Sequence, residues 1–286
     1  MRVITIATHS NHHLERLLSS ARKFGIEVEL LGQGMNYVTH NDKTRILLDY
    51  LGKLDEDEII LYTDGYDSVF LADLAYIEDE FKKMDHPFVM GTEQNFNCDA
   101  PFLEKFSYYL KYPKGERPYR FLNAGGWIGR AGYAKDILAL VEKDGECDQD
   151  MLNRYLTTNR EKIKLDYGNR IFSCMAGRTG MEDKDYLVED EGKVKNTITK
   201  SYPAILHAAG KNFFGLYKVI GKLPYIPKET FDDAEIEIYN KSKFWNTLTA
   251  RTTADNFLFH ILVQSTVAIL GVAIIAGVGA ALFALF

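Results

Sequence analysis

Residues 61–70 read LYTDGYDSVF, and how this stretch folds decides the architecture around it. The apolar run Ile59-Ile60-Leu61-Tyr62 before it has the make-up of a buried strand. The run stops at Thr63, and two carboxylates follow, Asp64 and Asp67, with Gly65 and Tyr66 between them. Two readings fit. Asp and Gly are favoured in solvated turns, Asp because it bonds its own backbone and Gly because it tolerates positive φ. Alternatively, two carboxylates on a tight loop can hold one hard divalent cation through oxygen. In an α/β sheet, the end of a strand is also where ligands sit.

On both sides of this stretch the chain alternates between strand and helix patterns. Residues 2–8 are rich in β-branched side chains and predict a strand, and 11–23 carry leucines at helical spacing. A second strand is expected over 26–31. A helix is expected over 43–54, with Ile46, Leu47 and Tyr50 on one face. The third strand is 58–62, followed by a helix over 72–83 and a strand over 88–92. This order implies a Rossmann-like α/β fold, a mostly parallel sheet with helices on both faces. The first ~100 residues have the form of the nucleotide-binding half of a doubly wound fold. Neither GxGxxG nor GxxxxGK[ST] occurs, so the two common phosphate-cradling loops are missing. Phosphates bound here would need another holder, and a cation on Asp64 and Asp67 would serve.

The chain of 286 residues suffices for one large domain or two small ones, and a net charge of -6 argues against nucleic acid as the main partner. Three scattered cysteines, Cys98, Cys147 and Cys174, suit a reducing compartment without a disulfide framework. The opening MRVITIATHS is too short and too β-like for a signal peptide. Residues 182–200 are highly charged and predict an exposed loop or hairpin.

The far end differs in kind. Residues 257–286, FLFHILVQSTVAILGVAIIAGVGAALFALF, contain no Asp, Glu, Lys or Arg. A bilayer-spanning helix needs about 20 apolar residues, and 267–286 alone meets that length. A buried core helix is the competing reading, but such a helix is rarely apolar on every face. Gly271, Gly277 and Gly279 offer a small-residue face for helix packing. Lys241, Lys243 and Arg251 precede the stretch, so the positive-inside rule places the N-terminal part in the cytoplasm. The expectation is a domain over 1–230, a membrane-proximal connector over 231–256 and a single-pass transmembrane anchor over 257–286.

Three further stretches carry chemistry. In FLNAGGWIGRAG (121–132), a Gly-Gly pair beside Asn123 lets backbone approach a ligand closely, or simply marks a loop-to-strand junction. In CDQDML (147–152), Asp148 and Asp150 precede a helix expected near Met151, and either could be a cap that complements the helix dipole. In AILHAAGK (204–211), an apolar strand ends in His207, with Gly210 and Lys211 close behind. His207 there is a candidate to join a metal, and Lys211 a diphosphate.

Taken together and in this order, YTDGYDSVF, RFLNAGGWIGRAG, CDQDMLNRYL, LDYGNRIFSCMAG and ILHAAGK resemble the glycosyltransferase domain of the procollagen lysyl hydroxylases and its bacterial and viral relatives. NAGG, DQDMLN and HxxG are also similar to family 8 glycosyltransferases, the glycogenin-like enzymes. The resemblance runs from about residue 1 to about residue 211 and implies the GT-A fold. It implies that Asp64, Asp67 and His207 hold manganese against the diphosphate of a UDP-sugar. Thr8 and Lys43 then match positions near the nucleotide, and Asn123, Gly125 and Gly126 match the sugar-side loop. Gly210 and Lys211 lie where the diphosphate is clamped, and Asp148 or Asp150 matches an acidic cluster near the acceptor. Two departures stand out. Where the family has HGNGPTK this chain has HAAGK, which brings the lysine two positions early, and its long acidic run shrinks to Asp148-Gln149-Asp150. No hydroxylation of collagen is expected, because no iron-binding domain follows.

Two functions follow from these readings. One is a membrane-tethered glycosyltransferase moving a hexose from a UDP-sugar to a glycan, lipid-linked or protein hydroxyl. Asp148 or Asp150 is then its catalytic carboxylate: a base in an inverting course, or an orienting group in the retaining course that the likeness to family 8 implies. Hard oxygen ligands suit manganese or magnesium, and the imidazole tips the choice to manganese. The other is a catalytically silent sugar-nucleotide-binding or scaffolding module at a membrane. An intact Asp-Asp-His set favours the first, since a silent module has no chemical need for it.

Overall fold

The apolar run 59–62 does become a buried strand, and its neighbours arrange themselves around it. The computed structural model describes residues 1–37, 39–94, 96, 102–115, 118–144, 147–175, 182–208 and 213–230, with isolated positions 234, 237, 266 and 269–272. The chain runs β1 (Arg2–Ile6), α1 (His12–Lys23), β2 (Val28–Leu31), α2 (His40–Leu51), β3 (Ile59–Thr63), β4 (Ser68–Phe70), α3 (Leu74–Met84), β5 (Phe88–Glu93) and α4 (Phe102–Lys111). It continues through β6 (Phe121–Arg130), α5 (Ala131–Asp144), α6 (Asp148–Leu156), β7 (Lys164–Leu165), β8 (Phe172–Met175), β9 (Tyr186–Val188), β10 (Val194–Asn196), β11 (Ile205–Ala208) and α7 (Phe213–Ile220).

The main sheet has six strands in the order β2-β1-β3-β6-β5-β7. It is mixed: β1 pairs parallel with β2 and β3, and β5 with β7, whereas β6 runs antiparallel to both β3 and β5. Both faces are covered. Ile60 and Tyr62 join Leu47, Phe88, Trp127 and Ala134 in one core, and Leu61 joins Leu14, Leu17, Ile77, Phe81 and Ile128 in the other. Burial on two faces explains why β3 is a continuous apolar run from Ile59 to Tyr62 instead of alternating.

Helix ends follow local chemistry. Asn11 caps α1 by accepting from Leu14 N at 2.9 Å, and Asp73 caps α3 by accepting from Tyr76 N at 2.9 Å. α2 begins before the expected 43 because the Asp42 carboxylate accepts from Thr39 N at 2.8 Å, which starts the helix a turn earlier. Residues 186–196 form the expected hairpin, with β9 antiparallel to β10.

A second, three-stranded sheet, β4-β11-β8, lies beside the first. The Gly-Gly pair at 125–126, expected in a loop, lies inside the ten-residue strand β6. The glycines let the second sheet press against the first: a Cβ on Gly126 would stand 2.6 Å from Cδ1 of Phe172 in β8. Among the described residues no helix is long and apolar enough to cross a membrane. The expected connector, 231–256, and anchor, 257–286, lie outside the described residues apart from the isolated positions named above.

Candidate metal and nucleotide site

The 64–67 loop carries the chain from the end of β3 in the large sheet to the start of β4 in the small one. Asp64 N donates to Gly125 O at 2.8 Å, which extends the β3–β6 pairing into the loop. On the other side, β11 pairs with β4 so that His207 lies opposite Ser68, and Ala208 N donates to Asp67 O at 2.7 Å. Sheet register therefore brings His207 to Asp67 across 140 residues of chain. One ligand atom from each of Asp64, Asp67 and His207 falls within 4.8 Å of the others. His207 Nε2 stands 3.3 Å from Asp67 Oδ2 and 3.7 Å from Asp64 Oδ2.

Asn123 sets the ring. Its Oδ1 accepts from Gly125 N at 3.0 Å and lies 3.0 Å from His207 Nδ1, which must then carry a proton. In the neutral imidazole this turns the Nε2 lone pair toward the two acids, the arrangement of a metal-ligating histidine. His207 Nε2 and Asp67 Oδ1 are buried without a hydrogen-bond partner. Leaving such atoms unsatisfied costs about 1–3 kcal/mol each. A divalent cation among three oxygen and nitrogen donors would satisfy both, so the residues fit the group. Without one, burial pulls the His207 pKa down, but the Asp67 carboxylate and the Cys174 thiol outweigh it and hold it well above the usual value. A proton between His207 and Asp67 therefore competes with a cation for the same place.

Behind the acids lies Lys43, only 8% exposed. Its Nζ stands 2.8 Å from Asp148 Oδ2, 3.3 Å from Asp64 Oδ1 and 3.3 Å from Ala124 O. Burial pushes the ammonium pKa down, but Asp148 and Asp64 more than reverse this and keep it charged. Asp148 is not the cap of α6: Cys147 holds that position, and Asp148 lies in the first turn. Its Oδ1 accepts from Gln149 N at 2.9 Å, so both its oxygens are engaged.

A cleft of about 610 Å³ joins these groups. Thr8, Lys43, Asp64, Asp67, Asn123, Gly125, Asp148, Asp150 and His207 all line it. Gly126 does not; it packs on Phe172. Gly210 and Lys211 lie outside the described residues. The cleft also has walls the sequence did not single out. Tyr66 stacks on His9 with ring centroids 5.1 Å apart, and its hydroxyl donates to His9 O at 2.9 Å. Gln149 Oε1 accepts from Ala124 N at 3.1 Å while Nε2 donates to Glu93, which joins α6 to β5 and β6. Only its place between two acids could have pointed to Gln149. Tyr37 and Tyr62 carry no local signal.

The family described as the PLOD GT domain matches residues 1–231. Procollagen-lysine,2-oxoglutarate 5-dioxygenase 2 of Mus musculus is 30% identical over 240 residues, 75% of this chain and 31% of that protein. The multifunctional procollagen lysine hydroxylase and glycosyltransferase of Caenorhabditis elegans is 30% identical over 241 residues, 75% of this chain and 32% of that protein. The chain thus spans about a third of the length of these relatives. Among solved structures, the galactosyltransferase LgtC, in complex with donor and acceptor sugar analogues, aligns with a TM-score of 0.46 and 15% identity over 80% of this chain and 98% of that one.

Proposed function

The chain belongs to the PLOD GT domain family, and on that premise we propose that it moves a hexose from a UDP-sugar to an acceptor hydroxyl with manganese held by Asp64, Asp67 and His207. The observation that carries this reading is the pair of buried atoms without a hydrogen bond, His207 Nε2 and Asp67 Oδ1, beside the Asp64 carboxylate. Of the two activities in the name of the Caenorhabditis elegans relative, only glycosyl transfer is proposed for this chain.

When bound, the cation supplies Lewis-acid stabilisation to the charge that builds on the leaving diphosphate, worth several kcal/mol. Asn123 holds the His207 ring so that its free nitrogen faces the acids. Lys43 keeps a positive charge beside Asp64 and ties it to Asp148 across the cleft. Thr8 and Gly125 form the walls against which the nucleotide and sugar lie. Asp148, with both oxygens engaged, orients the acceptor side of the cleft without taking a proton. Asp150, on the cleft wall, hydrogen-bonds the acceptor hydroxyl. This assignment favours a retaining course, in which the acceptor proton passes to the departing diphosphate on the same face.

The uncharged segment 257–286 is the proposed membrane tether, and Lys241, Lys243 and Arg251 before it favour a cytoplasmic active site. Acceptors at a bilayer, such as lipid-linked glycans, suit that placement. The test is manganese-dependent hydrolysis of a panel of UDP-sugars, which needs no acceptor. One sugar should turn over, and Asp64→Ala or Asp67→Ala should cut that rate by about 100-fold or more. UDP-sugar binding without turnover in the wild type, even with an acceptor supplied, would favour the silent module instead.

A further inference from the structure

Tyr62 lies beneath the cleft and is 1% exposed. It pairs with Trp127 in the β3–β6 register, and the two rings stack with centroids 5.6 Å apart and planes 22° from parallel. The β pairing continues through Asp64, so Tyr62 and Asp64, two residues apart on extended chain, point the same way. The Tyr62 hydroxyl donates to Asp64 Oδ1 at 2.5 Å. Lys43 Nζ approaches the same oxygen at 3.3 Å, and stands 5.2 Å from the centre of the Tyr62 ring. The other oxygen, Oδ2, is the one that faces His207.

We propose that Tyr62 is a positioning residue that makes Asp64 a one-oxygen metal ligand: with Lys43 it occupies Oδ1, so that only Oδ2 is left to the cation. The assignment rests on the metal reading above. Its consequence is an open coordination sphere. Asp64 and His207 would then offer one atom each, which leaves room at the cation for diphosphate oxygens and water. A carboxylate released from the Tyr62 hydrogen bond would rotate and turn Oδ2 away from His207 and Asp67, which weakens the site. Nothing in the local sequence separates this tyrosine from an ordinary apolar residue of a buried strand.

The test is manganese binding to the full chain by calorimetry, without nucleotide, so that turnover plays no part. Tyr62→Phe removes one oxygen atom and keeps the stack. Loss of an outer-shell partner typically weakens metal binding by about 10–100-fold, and that loss is expected here, with a thermal melt close to wild type. Trp127→Phe, which loosens the stack and leaves the hydroxyl, should stay within about threefold of wild type, well short of that outer-shell loss. A Tyr62→Phe affinity within twofold of wild type would overturn the assignment, and so would an equal loss in Trp127→Phe, which would make the effect one of packing. Two controls report on the metal reading separately. If wild type binds no manganese, or Asp64→Ala binds it as wild type does, that reading fails and this assignment falls with it.

Discussion

A Cβ atom on Gly125 would lie 2.1 Å from Cε1 of His207. The imidazole fills the space that a side chain at 125 would take. Residue 125 lies where the β5 pairing of the strand shifts register, but its carbonyl accepts from Asp64 N, so the backbone cannot retreat without moving a second candidate ligand.

Gly125→Ala and Gly126→Ala should therefore separate binding from stability. Both overpack a central strand, which costs about 1–3 kcal/mol. Gly125→Ala should also displace His207 and abolish detectable manganese binding. Gly126→Ala meets Phe172 instead, and should retain binding within a few-fold. Thermal melts paired with manganese titrations of the two variants check this, and equal manganese affinities would contradict the packing argument.

The protonation of His207 gives two opposed pH dependences. Its folded-state pKa is raised above the ordinary 6.5. Protonation therefore stabilises the metal-free fold fully below that ordinary value, and this contribution is lost as pH rises through the higher folded value. Melting of metal-free wild type against His207→Gln should show the largest difference near ~pH 6 and a shrinking one in more alkaline buffer. Manganese affinity should do the reverse and tighten as pH rises, because the ligand is the neutral imidazole. A manganese affinity flat from acid to alkaline pH would exclude His207 as a ligand.

The two acids of the 148–150 stretch should behave differently. Asp148 is 6% exposed and faces a buried ammonium. Removing one partner of a buried pair costs about 3–5 kcal/mol, and Asp64, 3.3 Å from the same ammonium, should hold Asp148→Asn to the low end. Asp150→Asn should change stability by less than about 1 kcal/mol and mainly slow transfer to acceptor. Urea midpoints and transfer rates measured side by side decide between these roles.

Deleting residues 257–286 should separate anchoring from binding. Every candidate ligand described lies at or before His207, and the segment removed is uncharged and long enough to cross about 30 Å of hydrocarbon. The truncated chain should leave the membrane fraction and still bind UDP with manganese. Transfer to a soluble acceptor analogue should survive, and transfer to a membrane-bound acceptor should fall as local concentration is lost. A truncated chain that aggregates and binds no UDP would mark the segment as part of the core.

The sequence by itself located most elements of the first 92 residues, because those signals are local. Val3-Ile4 and Ile59-Ile60-Leu61 read as strands from their β-branched and apolar runs, and 11–23 and 72–83 read as helices whose starts the structure fixes through the caps Asn11 and Asp73. It also placed Asp64 and Asp67 at a strand end, since a carboxylate pair stands out against an apolar run. Tertiary structure decided the rest. That His207 meets Asp67 depends on β11 pairing with β4 in one register, and a slip of one residue would turn the imidazole to the opposite face. That Asp148 answers Lys43 as well as the Gln149 N–H of its own helix depends on α6 packing against β6 and α2, over a distance no short-range pattern encodes. That the glycines at 125 and 126 lie inside a strand depends on a second sheet pressing close enough to exclude any Cβ. Burial turned the tyrosine at 62 from core filler into a donor aimed at a carboxylate, because a hydroxyl removed from water must find its partner within the fold.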